Sequence, residues 1–249
     1  MHYHWLSPED AILYRDVTAA EVEPLMRQAG VEAALLVEAA NISLEIPYML
    51  ELAALHPWIK GVIGWASLSD PPTAYVDQLC GVRLPWLHQA GDAVIPPLVR
   101  DHGLPCDIIA DAQAYDVVKQ LAQGAPELTF VLAHFGLPRM TPGGAAIWAN
   151  QITPLADLPN VVMKLSGQLT AADPRPLTAD TLRDYVDHAV RLFGADRLMY
   201  GSNYPIVLWA GSYEDDIALL RAACAHLPAE VQVAIFGANA ARVYRLHQP

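Results

Sequence analysis

Residue 203 is an asparagine, set in Leu198-Met-Tyr-Gly-Ser-Asn-Tyr-Pro205, where an apolar run breaks into a small polar turn. A carboxylate at such a strand end can take a proton from water. A carboxamide only donates and accepts hydrogen bonds, so general-base catalysis, typically worth about 10²- to 10⁴-fold, is largely lost there. His134 is the second candidate catalytic residue: it closes an apolar run and leads into Phe-Gly-Leu-Pro, a turn that aims the imidazole out of a core. Other runs end in Glu38, Arg83, Asp111 and Lys164. Glu38 and Asp111 are alternative bases, or equally a helix cap or an ion-pair partner of Arg83. Arg83 is a candidate to grip a substrate carboxylate or hydroxyls bidentately, or to form a structural ion pair. Lys164 points inward toward substrate or pairs with a neighbouring acid. Tyr204 and Trp86 offer an apolar wall for a sugar-sized pocket, or simple packing.

Seven apolar runs carry these groups: Ala33 to Ala40, Ile59 to Leu68, Val82 to Trp86, Cys106 to Ala112, Leu128 to Phe135, Val161 to Leu165 and Arg197 to Ser202. Between them lie segments of helical period, such as Ser43 to Leu55, Tyr115 to Gln123 and Thr178 to Phe193, with Tyr213 to His226 after the last run. Continuously apolar strands alternating with helices predict a parallel sheet covered by helices. No glycine-rich phosphate loop favours an open doubly wound sheet, which would gather only the few strand ends at its switch point. A closed α/β barrel brings all the C-terminal ends to one mouth. The expected fold is therefore a (β/α)8 TIM barrel in one domain, residues 1–249. Only Met1 to Leu6 remains for the first strand, which is expected to be short or missing.

The 249 residues are 53% hydrophobic and 17% charged, enough apolar surface for a compact core. A formal charge of −12 excludes a phosphate-backbone partner, because nucleic-acid binding rests on clustered Lys and Arg. Cys80, Cys106 and Cys224 lack finger or CxxC spacing and are expected to be reduced core residues. No apolar stretch approaches the roughly 20 residues of a membrane span, and no signal peptide opens the chain, so a cytoplasmic location is expected. The expected partners are a small-molecule substrate and, in a possible homodimer, a second copy of the chain. His56, His88, His102, His188, His226 and His247 fall on helices or loops away from strand ends and read as surface or helix-end residues. In the C-terminal segment, Asn239 and Arg242 are expected to tie a closing helix to the end of the barrel.

Tyr3-His-Trp-Leu6, Leu36-Val-Glu-Ala-Ala40, Gly61-Val-Ile-Gly-Trp65, Gly81-Val-Arg83, Val131-Leu-Ala-His-Phe-Gly136, Lys164-Leu-Ser-Gly167, Arg197 to Pro205 and Phe236-Gly-Ala-Asn-Ala-Ala-Arg-Val-Tyr244 occur in one order. That order resembles the amidohydrolase-related TIM-barrel hydrolases of the second amidohydrolase group, which includes sugar-lactone hydrolases and pyrone-dicarboxylate lactonases. The resemblance covers nearly the whole chain and rests on order and spacing, not on any one motif. It implies a His-x-His pair ending the first strand, a later histidine that His134 matches, and an aspartate where Asn203 stands. It further implies that water opens a lactone at the C-terminal mouth, which needs a base for the water and a donor or cation for the carbonyl oxygen. Histidines, with or without a divalent metal such as zinc, polarise the carbonyl in that family.

His134 and Asn203 alone supply too few ligands for zinc, which holds three protein groups even in open catalytic sites, so no tightly bound cofactor is expected. His2, His4 and His134 form the alternative ligand set. His2 and His4 have the family's spacing, yet the adjacent Trp-Leu matches a segment a short way after the family's pair. The resemblance therefore implies that the chain starts at an internal methionine, with His2 and His4 as a frayed terminus. Three readings stay open: a lactone hydrolase weakened at residue 203, a catalytically impaired ligand-binding homologue, and a truncated form of an active metal-dependent amidohydrolase. The acidic balance mildly disfavours a dicarboxylate and tilts the choice toward a neutral sugar lactone.

Overall fold

The computed structural model describes residues 3, 5–67, 72–85, 94–173 and 175–246. Seven strands form one sheet: β1 (Ala34–Val37), β2 (Ile59–Trp65), β3 (Gly81–Arg83), β4 (Cys106–Ile108), β5 (Phe130–Leu132), β6 (Val161–Leu165) and β7 (Leu198–Tyr200). All neighbours pair in parallel, in sequence order. Each strand lies within or beside the apolar run that predicts it. Except for β6, which matches its run, the strands are shorter than the runs because parallel pairing stops where the chain turns into the loops.

Register decides which side chains face the inside. Val62, Val82, Cys106, Ile108, Phe130, Leu132, Val161, Met163 and Leu198 face outward and build the main core with the surrounding helices. Alternate residues face the lumen. There Ile63 of β2, Val131 of β5, Val162 of β6 and Met199 of β7 pack in one cluster, joined by Leu35 and Val37 of β1. A flat sheet keeps β2 well away from β7, so this cluster requires the strands to curl. The result is an α/β half-barrel.

Among the described residues no strand precedes Ala34 and no ladder joins β7 to β1. Helices α1 (Ala19–Gln28) and α8 (Tyr213–Cys224) cover that seam. Met26 and Ala29 pack with Tyr213 and Ile217, and this cluster touches Leu36 of β1 and Tyr200 of β7. Arg221 of α8 donates to the carbonyl of Ala29 at 2.6 Å. The α1 helix is absent from the sequence reading because Pro24 interrupts its pattern. It is started by Thr18, whose hydroxyl caps the Glu21 N–H.

Helix α2 (Glu45–Leu55) follows β1, α3 (Pro97–His102) follows β3, α4 (Tyr115–Gly124) follows β4, α5 (Ala145–Ala156) follows β5, and α6 (Gln168–Ala171) and α7 (Ala179–Phe193) follow β6; a short turn, Val76–Gln78, stands between β2 and β3. After α9 (Ala229–Val233), a wider turn and α10 (Asn239–Val243) close the end opposite the mouth. Asn239 Nδ2 donates to the carbonyls of Ala195 and Leu198 at 2.7 and 2.8 Å, and Arg242 donates to that of Asp196. The expected tie to the barrel end is therefore present. Among the described residues, no helix is long and apolar enough to cross a membrane.

Candidate active site at the C-terminal ends of the strands

His134 follows β5, and its own backbone makes the turn. His134 and Phe135 both take left-handed conformations, with φ of 57° and 54°, which bulky residues adopt only when their surroundings hold them. The turn brings the imidazole back over the end of β6. Ser166 Oγ lies 2.9 Å from His134 Nδ1 and accepts the His134 backbone N–H at 3.1 Å. Gly167, at φ 71°, flanks the ring so closely that a Cβ there would stand 3.1 Å from Nδ1. Burial, helped by the charges of Arg83 and Lys164, pulls the imidazole pKa down to about 3. His134 is thus neutral at physiological pH, while the residue keeps part of its surface open.

Asn203 lies three residues beyond the end of β7, also left-handed at φ 52°, a conformation asparagine tolerates better than most residues. Its carbonyl accepts the Val207 N–H at 2.9 Å, fixing the turn. Gly201 packs against Ser166, where an added Cβ would come within 3.1 Å of Ser166 Cβ. The ends of β5, β6 and β7 therefore lie side by side, with Ser166 between the segments that carry His134 and Asn203.

Arg83 and Lys164 face the lumen beneath this mouth, but both are engaged. Lys164 Nζ pairs with the fully buried Asp107, whose other oxygen accepts the hydroxyl of Tyr244 from the C-terminal end. Arg83 Nη1 donates to the carbonyl of Glu38 at 2.9 Å, while its Nε is buried without a partner. The neighbouring-acid alternative for Lys164 is what the geometry displays, and the contact of Arg83 with Glu38 is to its backbone. The Glu38 carboxylate accepts the backbone N–H groups of Trp65 and Ile42. Asp111 accepts the N–H of Gln113 at 2.9 Å in a local turn. Neither carboxylate caps a helix, since α2 and α4 start without a side-chain cap; each instead holds backbone N–H groups of a strand end or a local turn.

Tyr204 donates its hydroxyl to Glu21 at 2.7 Å, and Arg15 grips the same carboxylate. Its ring meets Tyr213 edge-on at 5.9 Å. The phenol thus fastens the loop after β7 to α1. Trp86, His2 and His4 lie outside the described residues, as do His88 and His247.

Four further polar residues were not singled out from the sequence. Asp107 and Tyr244 are separated by 137 positions. Ser166 gives no pattern beyond its place after a lysine-bearing strand. Glu45 is buried at the start of α2, where it accepts the N–H groups of Ala39 and Ala40 and the Tyr3 hydroxyl; burial raises its pKa. The signal available for Asp107 was an acid inside the apolar run Cys106 to Ala112.

Among the described residues no three His, Cys, Asp or Glu side chains converge to hold a metal ion. Around His134 the described side chains do not bring together the three protein groups that zinc requires. The described residues do not fit that ion.

A sequence model of the family described as Amidohydrolase matches residues 2–246. An L-fucono-1,5-lactonase of Burkholderia multivorans is 32% identical, the match covering 99% of this chain and 92% of that protein. An L-fucono-1,5-lactonase of Burkholderia ambifaria is 30% identical, over 96% and 89% of the two chains. The crystal structure of an amidohydrolase from Burkholderia multivorans, with bound zinc, superposes with a TM-score of 0.82 at 30% identity, covering 98% of this chain and 93% of that one.

Proposed function

Since the chain belongs to the amidohydrolase family, we propose that it takes a sugar-acid lactone into the mouth of the half-barrel and opens it by water attack, with turnover weakened by Asn203. The observation that carries this reading is the neutral imidazole of His134, held by Ser166 at the strand ends that also carry Asn203. The names of the two lactonase relatives supply the substrate class.

Water adds to the lactone carbonyl carbon, and the carbonyl oxygen takes up negative charge. His134 donates a hydrogen bond to that oxygen, in a site where a fixed donor is worth more than in bulk water. Collapse breaks the ring C–O bond, and the departing alkoxide takes the proton released by the water, leaving a hydroxy acid. Asn203 orients the water through its side-chain oxygen but takes no proton from it. The proton therefore reaches the leaving oxygen directly or through solvent, and Asn203 supplies no base for the step.

L-fucono-1,5-lactone is the test compound. The expected result is hydrolysis faster than the spontaneous reaction and abolished in His134→Gln. Binding by calorimetry with no hydrolysis above background would instead support the impaired ligand-binding homologue. Neither binding nor hydrolysis with this or other sugar-acid lactones would overturn the lactone reading.

A further inference from the structure

We infer that Ser166 is a positioning residue that fixes the tautomer of His134, holding the ring proton on Nε2 so that the imidazole acts as a hydrogen-bond donor and not as a base. The use of that donor on a carbonyl rests on the lactone reading above; the tautomer itself does not.

Ser166 is almost fully buried, at 2% exposure. Its oxygen already accepts the backbone N–H of His134 at 3.1 Å. A serine hydroxyl also has one hydrogen to give, and among the described residues the only acceptor within reach is His134 Nδ1 at 2.9 Å. If Nδ1 carried the proton, both nitrogens would donate to the same oxygen, and the hydroxyl hydrogen would be buried with nowhere to go. Such an unsatisfied donor is disfavoured strongly enough to decide between two tautomers of otherwise similar energy. Nδ1 is therefore the bare nitrogen and Nε2 carries the proton.

The surrounding backbone is shaped to keep this pair together. Gly167 leaves room for the ring, since a side chain there would meet Nδ1, Cβ and Cγ of His134 within 3.3 Å. Gly201 leaves room for Ser166 from the β7 side. The left-handed turn at His134 places its N–H and its ring on the same serine. A residue that fastens both ends of one histidine controls the ring's direction as well as its proton.

Nitrogen-15 NMR at neutral pH, with the His134 signals identified by their loss in His134→Gln, reads the tautomer directly. The expected spectrum has a protonated Nε2 and a bare Nδ1 well downfield. In Ser166→Ala the Nδ1 and Nε2 shifts should move toward each other as the two tautomers mix. A wild-type spectrum with the proton on Nδ1 overturns the inference, as does a Ser166→Ala spectrum identical to wild type. Should Ser166→Ala fail to fold, the wild-type spectrum alone still decides which nitrogen is bare. No lactone is present, so failure here and failure of the lactone assay are separate results.

Discussion

Lys164 and Asp107 form an ion pair inside the lumen, on two strands separated by β5, with the carboxylate almost entirely out of water. The pair replaces apolar filling at the level where a barrel is normally packed with branched side chains. Removing one partner leaves the other charge buried and uncompensated. Asp107→Ala should therefore cost about 3–5 kcal/mol in denaturant unfolding, whereas Asp107→Leu with Lys164→Met together should cost less, leaving mainly the Tyr244 hydroxyl without its acceptor. Equal losses in the single and double variants would contradict this account of the lumen.

Asn239 holds two carbonyls at the closed end, those of Ala195 and Leu198. Asn239→Ala leaves both without that donor, at a cost of about 1–3 kcal/mol for each group that water cannot reach. Thermal unfolding should show a lower Tm with the folded-state spectrum retained. A Tm unchanged from wild type would mean that α10 does not hold the barrel end.

Asp216 is buried in α8 near Tyr200, and burial raises its pKa to about 8. A carboxyl raised from its ordinary value of 3.8 binds its proton more tightly in the folded chain than in the unfolded one. Its contribution to stability is full below pH 3.8 and is lost as pH rises toward about 8. Asp216→Asn mimics the protonated acid, so its Tm should fall less than that of wild type between pH 5 and about pH 8. Parallel Tm curves for the two proteins would contradict a neutral Asp216.

His134 gives the opposite slope. Its pKa falls from 6.5 to about 3 on folding, so the unfolded chain binds more protons throughout that window. The stabilisation is full above pH 6.5 and is lost as pH falls toward about 3. His134→Gln should flatten that part of the stability curve, measured by denaturant midpoints from pH 7 to pH 4.

The sheet was legible because most strand residues are buried and read as short apolar runs; Phe130 to Leu132 and Leu198 to Tyr200 are examples. His134 and Asn203 were legible because a polar residue after such a run has to leave the sheet at its C-terminal end. The contacts that define their surroundings were not. Ser166 is one small residue whose importance comes from a partner 32 positions away. The Lys164 and Asp107 pair depends on both residues facing the lumen, which register fixes and a run of apolar neighbours conceals. Tyr204 was placed on the right loop, but its hydroxyl is taken by Glu21 of a helix that Pro24 hid from the pattern.

Asn203→Asp tests most directly whether the fixed donor at His134 works without a carboxylate base at residue 203. Aspartate also tolerates the left-handed backbone at this position, so the substitution adds a carboxylate with little strain. L-fucono-1,5-lactone hydrolysis should then rise by about 10²- to 10⁴-fold and acquire an acid limb in its pH profile that wild type lacks. A rate and pH profile unchanged by the substitution would contradict the claim and place the chemistry elsewhere.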